Sequence, residues 1–296
     1  GYYAMNIPEE WGGLGFDIVT EGVIAEEMAK IDAGFTMGFH NCGSYFHFIL
    51  DTKMSDEEKA KWAQRFLSGD ARGSFCVTEA GAGSDAAAMR TTAVKDGDEW
   101  VINGTKCFIS MAPVSNFFVV AAWTDKTKKV SEGVTFFVVE KERGVKIGKK
   151  ENKMGLHLNE TAEVIFEDVR VPADHVIGEE GKGFIISMQE ISMEGRTLGA
   201  TFALGIAQAA LDYAIEYAKT RRQFGKRIID QQGIGFKLAD MQARTEACRS
   251  MIFEGLTCLR DGIPIGYLPN MIKMYTSDCT MQTTMDAVQV YGGYGY

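Results

Sequence analysis

Residues 73–110 read GSFCVTEAGAGSDAAAMRTTAVKDGDEWVINGTKCFIS. An apolar run feeds a turn, Gly81-Ala-Gly83-Ser-Asp-Ala86, with the G-x-G-x-x-A spacing that opens a helix over a dinucleotide in a Rossmann unit. That unit requires a crossover helix directly after the glycines and then a second strand. Here the glycines lead instead into a strand, an Asp96-Gly97 turn, a strand, an Asn103-Gly104 turn and another strand. A Walker loop would need Gly-Lys-Ser/Thr, and the turn has no lysine. Two readings of the loop stand. Its glycines only turn the chain, or its successive N–H groups, with the Thr78 and Ser84 hydroxyls, cradle a phosphate without any βαβ unit.

The flanks have different textures. Up to about residue 70 the pattern is helical. Residues 17–31 and 33–50 are apolar-rich, and Ser55-Asp-Glu-Glu58 is a capping box for a helix ending at Gly69. From Gly73 to about Ile177 the runs NFFVVAAW (116–123), VTFFVVE (134–140) and AEVIFEDVRVP (162–172) are strand-like, with Pro113 and Pro172 at run edges. From Gly183 onward long helices return. Ile234, Leu238, Met241, Thr245, Cys248, Ile252, Gly255 and Leu259 form one stripe; Ile272, Tyr275, Cys279 and Met285 form another. The order predicts an α+β fold: an N-terminal helical domain over 1–71, a middle antiparallel β-domain over 72–180 and a C-terminal antiparallel helical bundle over 181–296.

The 296 residues are 46% hydrophobic and 24% charged, with a formal net charge of −9. That excess argues against a general nucleic-acid binder. The six cysteines (42, 76, 107, 248, 258, 279) include no C-x-x-C pair and read as buried, reduced thiols. The four histidines are too dispersed for a metal site. The longest apolar run, Phe117 to Trp123, is too short to span a bilayer, so no membrane partner is expected. Both ends read as cut, and a targeting segment upstream would not be visible.

The stretch CVTEAGAGSDAAA (76–88) resembles, over its whole length, the first signature of the acyl-CoA dehydrogenase flavoenzymes. Other blocks resemble that family in the same order. They are IPEEWGGLG (7–15), GDEWVINGTKCFIS (97–110), VIFEDVRVP (164–172), RRQFGKRI (221–228) and QVYGGYGY (289–296), the last resembling the start of a second signature. The resemblance covers essentially the whole chain.

It implies FAD held between the β-domain and the bundle, with a neighbouring subunit completing the site in a homotetramer. By matching positions, Phe75, Val77, Thr78, Gly83 and Ser84 would line the flavin and its pyrophosphate, Gly81 and Gly83 allowing close backbone approach. Phe108, Ile109 and Ser110 would sit against the flavin ring; many relatives carry Trp and Thr where Phe108 and Ser110 stand. Arg221 would reach a neighbour's pyrophosphate, a task suited to a guanidinium fork. Gln223, Phe224, Gln232, Gln289, Gly292 and Gly293 would support it. Ser84, Met193 and Arg196 would touch the acyl-CoA, Met193 replacing an acid that relatives often use there. Read without the family, Phe108 is an ordinary strand core residue, Arg221–Arg222 a charge pair near a helix C-terminus, and Arg196 an exposed residue on a helix's outer face.

The chemistry implied is α,β-dehydrogenation of an acyl-CoA thioester, in fatty acid metabolism, with electrons passed to an electron-transfer flavoprotein. Relatives place the glutamate base either shortly beyond the second signature or immediately before the arginine matched by Arg196. The second slot holds Gly195, and Glu194 is one residue off, about 100° around a helix. The base is therefore expected beyond Tyr296, with Glu194 as the minority candidate. An acyl-CoA oxidase using O₂ is the rival enzyme. A non-catalytic or DNA-binding flavoprotein of the same fold is the rival class. The location implied is cytoplasmic in a prokaryote or the mitochondrial matrix in a eukaryote.

Overall fold

A computed structural model describes residues 2–189, 191 and 195–296, without the side chains of residues 2, 41–43 and 189. Two compact units form, Gly1–Phe16 with Met37–Gln189, and Asp17–Thr36 with Glu190–Tyr296. In chain order the helices are α1 (Ile18–Ala29), α2 (Ala33–Ser44), α3 (Phe46–Leu50), α4 (Asp56–Leu67), the single turn α5 (Val130–Gly133), α6 (Gly183–Gln189), α7 (Ala200–Thr220), α8 (Gln232–Arg260) and α9 (Leu268–Tyr291). The strands are β1 (Gly73–Cys76), β2 (Thr92–Asp96), β3 (Glu99–Ser110), β4 (Phe117–Trp123), β5 (Val134–Glu140), β6 (Lys146–Lys150), β7 (Thr161–Pro172), β8 (Val176–Ile177), β9 (Arg222–Gln223) and β10 (Lys226–Arg227).

The first unit is built on one sheet in the order β6-β7-β3-β2-β4-β5-β8, with β1 paired to β4. Its pairings are antiparallel except β1–β4 and the single β2–β4 pair, which are parallel. β4 and β5 are buried on both faces, which is why their sequences run apolar without alternation. Phe117, Val119, Phe136 and Val138 pack with Phe46, Phe48, Trp62 and Phe66 of α3 and α4. The alternate residues Phe118, Val120, Phe137 and Val139 pack with Trp100, Ile102, Val164 and Phe166 of β3 and β7. α4 starts at the predicted capping box, the Ser55 hydroxyl accepting from the Glu58 amide and the Glu58 carboxylate from the Ser55 amide.

Contrary to its turn chemistry, Asn103-Gly104 does not turn the chain; it sits inside the continuous strand β3, at a register shift opposite β7. The Asn103 side chain exchanges hydrogen bonds with Asp168 across the strands, donating to its carboxylate and accepting from its amide. Gly104 has φ +155, and a Cβ there would lie 2.3 Å from the Thr91 hydroxyl oxygen. Glycine is needed for the close approach of two strands rather than for a turn.

The second unit packs α1 with α7, α8 and α9. Leu204, Cys248, Ile252, Leu256 and Ile272 form one core, and Leu211, Ala214, Leu238, Met241 and Val290 another. The α8 stripe is buried as predicted from Leu238 to Gly255. Half of the α9 stripe is: Ile272 and Cys279 are buried, Tyr275 and Met285 are exposed, and the buried face continues through Thr276, Thr283 and Val290. Threonines on that face misdirect a reading by hydrophobicity alone. α1 lies close against its neighbours. A Cβ on Gly205 of α7 would fall 2.6 Å from both the Ala29 Cβ and the Glu26 carbonyl oxygen. Arg249 of α8 pairs with Glu26 at 2.7 Å.

Asp286 of α9, mostly buried, receives Lys237 at 2.7 Å and also Arg244, both from α8. Burial pushes its carboxyl up, but hydrogen bonds from Lys237, Arg244 and Gln282 outweigh this and hold it below the usual range. A depressed carboxylate adds stability above its unfolded pKa and loses it as pH falls through the folded value. Asp286→Asn should therefore cost about 2 kcal/mol at neutral pH in urea unfolding, where breaking a fully buried pair costs about 3–5. The deficit should shrink steadily as the pH is lowered through and below the ordinary carboxylate range.

Candidate cofactor and substrate site

In the first unit, β1 ends at Cys76 and the chain enters the loop 77–85. The Val77 carbonyl accepts from Lys106 Nζ at 3.0 Å, and the Thr78 carbonyl from the Cys107 amide at 3.0 Å. Glu79 and Ala82 exchange backbone hydrogen bonds of 3.1 and 3.0 Å, closing the turn. Among the described residues, the amides of Gly81, Gly83, Ser84 and Asp85 donate to no protein acceptor. Ser84 is exposed, and a Cβ on Gly81 or Gly83 would meet nothing within 4 Å. The result is a loop with four N–H groups free of protein acceptors among the described residues and open space at both glycines, which suits an anion.

At the end of β3, Phe108 is 62% exposed and has φ +57. A bulky residue in the left-handed region is costly and persists only where surroundings fix it. Phe108 sits at the second register shift between β3 and β7, between Lys106 and Ile109. Its neighbours are held. The buried Ser74 hydroxyl donates to the Ser110 carbonyl at 2.7 Å, and the Met111 amide donates to the Glu160 carbonyl at 2.6 Å. The strained strand position leaves the Phe108 ring largely exposed. Ile109 is buried in the sheet core, so only its backbone is left to face a ligand. Phe75 is also committed to packing, stacked on Phe136 at 5.4 Å and Phe48 at 5.9 Å.

In the second unit, Arg221 leaves α7 in an extended conformation. Among the described residues its guanidinium has no carboxylate partner and lies 6.0 Å from the Tyr294 ring. The β9–β10 hairpin carries Gln223 and, at its tip, Phe224, 95% exposed with φ +53. Arg227 is occupied by Asp230, at 3.0 and 2.9 Å. Gln232, Gln289, Gly292 and Gly293 are exposed, and α9 ends at Gly292 with φ +60. The ends of α7 and α9 are joined by Tyr217 stacked on Tyr291 at 4.2 Å. This unit thus groups Arg221 with Tyr294, a contact that sequence reasoning missed. Arg196 is half-buried and donates to Asn270 at 2.6 Å. Met193 and Glu194 lie outside the described residues.

Free loop amides, glycines with open space and an outward aromatic are a donor set that fits FAD: the amides for its diphosphate, Phe108 for its ring system. Among the described residues no group of three or more metal-ligating side chains could hold a metal ion, and no helix is long and apolar enough to cross a membrane.

Comparison with known proteins covers the whole chain. Three domain models match in order: acyl-CoA dehydrogenase N-terminal domain at 1–70, middle domain at 74–169 and C-terminal domain at 181–296. An acyl-CoA dehydrogenase of Bacillus subtilis is 38% identical over 299 residues, spanning 100% of this chain and 78% of that protein. The caffeyl-CoA reductase–Etf complex subunit CarC of Acetobacterium woodii is 38% identical, spanning 100% and 78%. The solved structure of butyryl-CoA dehydrogenase from Megasphaera elsdenii superposes with a TM-score of 0.94 at 39% identity, again over 100% of this chain and 78% of the other.

Proposed function

Since the chain belongs to the acyl-CoA dehydrogenase family of FAD-dependent oxidoreductases, we propose that it removes the α- and β-hydrogens of a saturated acyl-CoA thioester and passes the electrons to an electron-transfer flavoprotein. The observation that carries the reading is the four amides of Gly81, Gly83, Ser84 and Asp85 without a protein acceptor among the described residues, in a loop tied to a strand that carries an exposed, left-handed Phe108 near its end. FAD, when bound, supplies the acceptor for the β-hydrogen as hydride. The chain's own residues bind and orient. Amides of Gly81, Gly83, Ser84 and Asp85 hold the diphosphate, and Phe108 covers the ring. Arg221, with no carboxylate partner among the described residues, neutralises the diphosphate of a second copy. Arg196, which donates to Asn270, is assigned to the acyl-CoA in this reading. The thioester oxygen gains charge as the α-proton leaves, so aimed donors matter more than affinity.

The partner subunits and the redox partner belong to the same reading. On α9 the exposed residues Met271, Met274, Asp278, Met281, Met285 and Val288 step alternately by three and four. That is the spacing of a helix-pairing seam, and it supports assembly with further copies of this chain into a homotetramer. Sedimentation of the flavin-loaded enzyme as a monomer would refute this. The related Etf-complex subunit supports the electron-transfer flavoprotein as acceptor.

The test is anaerobic mixing of the flavin-loaded enzyme with a series of saturated acyl-CoA thioesters. Bleaching of the flavin absorption by at least one of them, and recovery on adding the electron-transfer flavoprotein, is expected. No bleaching by any would sink the reading, and recovery in air as fast as with the flavoprotein would make the protein an oxidase. Glu194→Gln is expected to keep most of the turnover, because Gly195 holds the slot directly before Arg196. Near-total loss in that variant would make Glu194 the base.

A further inference from the structure

Lys106 is fully buried on β3, and so is most of Glu79 in the loop. The Lys106 ammonium donates to Glu79 Oε1 at 2.9 Å and to the Val77 carbonyl at 3.0 Å. The Glu79 carboxylate also accepts from the Arg90 amide at 2.7 Å, the Thr91 amide at 3.0 Å and the Thr91 hydroxyl at 2.6 Å. Three segments meet at one carboxylate: the loop, β3 and the entry to β2. Burying two charges costs several kcal/mol per ion, and a well-packed apolar pair often stabilises a fold as well or better. Packing alone is therefore a weak reason for a lysine here.

We propose that Lys106 and Glu79 are a positioning pair that fixes the 77–85 loop in the shape FAD binding requires. Lys106 draws the Val77 carbonyl inward, and the next strand residue, Cys107, draws the Thr78 carbonyl inward. Glu79 ties the loop to Arg90 and Thr91. With these two carbonyls and the carboxylate committed, the amides of Gly81, Gly83, Ser84 and Asp85 are left without a protein acceptor among the described residues. No apolar pair would supply that direction, because dispersion contacts do not orient a peptide plane.

The charges are those of an ion pair. Burial pushes the Glu79 carboxyl up, but the Lys106 charge, the Thr91 hydroxyl and the Arg90 amide outweigh it and hold the carboxyl below its usual range. Burial pulls the Lys106 ammonium down, and Glu79 opposes that pull.

The positioning role rests on the FAD reading, and the test separates the two. FAD binding to apoprotein is titrated by flavin fluorescence, alongside thermal melting of the apoprotein, for Lys106→Met, the double variant Lys106→Met/Glu79→Gln, and Thr91→Val. The double variant leaves no unpaired buried charge. It should melt close to the wild type yet bind FAD at least about tenfold more weakly, with an altered bound-flavin absorption band. Thr91→Val removes one donor to Glu79, keeps the side-chain shape and should weaken FAD about threefold. A purely structural pair would move melting and leave FAD affinity within about twofold in every variant that folds, which overturns the proposal. A wild type with no affinity for FAD would overturn the cofactor reading instead.

Discussion

Gly83→Val is expected to leave the melting temperature of the apoprotein unchanged and to weaken FAD binding about a thousandfold. The two halves of the prediction have different sources. Nothing in the protein lies within 4 Å of a Cβ at Gly83, and its φ is outside the left-handed region. A Cβ there meets no atom and the backbone is not left-handed, so the fold has little reason to object. The branched side chain would instead stand in front of the free amides of Gly83 and Ser84, where a diphosphate must come within hydrogen-bond distance. Hydrogen bonds to a charged group contribute about 1.5–3 kcal/mol each. Losing two is about 4 kcal/mol, which converts to about 10³ in dissociation constant. Gly155 also has open space at its Cβ but lies in another loop, and Gly155→Val should alter neither quantity. Flavin titration and calorimetry of the apoproteins measure both. Wild-type affinity in Gly83→Val would remove this loop from the cofactor site.

Gly205 is expected to behave in the opposite way. In an exposed helix interior, Gly→Ala stabilises by about 1 kcal/mol, because alanine is the better helix former. At Gly205 the added methyl would sit 2.6 Å from the Ala29 Cβ and 2.6 Å from the Glu26 carbonyl oxygen, both on α1. Backbone atoms cannot step aside as a side-chain tip can. Gly205→Ala is therefore expected to destabilise by about 2 kcal/mol, within the range of overpacked cores. Gly205→Val forces α1 further out and strains the Glu26–Arg249 pair, taking the loss to about 4 kcal/mol. Urea unfolding reads the sign directly, and a stabilised alanine variant would show that α1 does not pack on α7 this closely.

Much of this architecture could be read locally. The capping box of α4, the doubly buried strands β4 and β5 and the α8 stripe all depend on neighbours in sequence. Features that depend on distant partners could not. Asn103-Gly104 has turn chemistry, yet its conformation is set by Asp168 across the sheet. On α9 threonines are buried and Met285 is exposed, so composition points at the wrong face. The glycine loop could be offered as a phosphate cradle because that is a local backbone device, with a plain turn as the equal alternative on the same residues. Lys106 was not, since a lysine in a strand reads as an exposed position until the carboxylate it meets is located. Arg221, Gln223 and Phe224 came from resemblance alone. They are exposed on the α7 end and the β9–β10 hairpin, where Arg221 lies over Tyr294 and Gln223 pairs with Lys226.

The membership of α1 in the second unit also bears on biogenesis. Its buried face, Glu21, Gly22, Ala25, Glu26 and Ala29, is synthesised before the partners it packs on, α7 and α8, which are completed only at Thr220 and Arg260. At ordinary synthesis rates that interval is on the order of tens of seconds. Until then Glu26 lacks the Arg249 guanidinium it pairs with, so α1 docks in its final place only after α8 has been made.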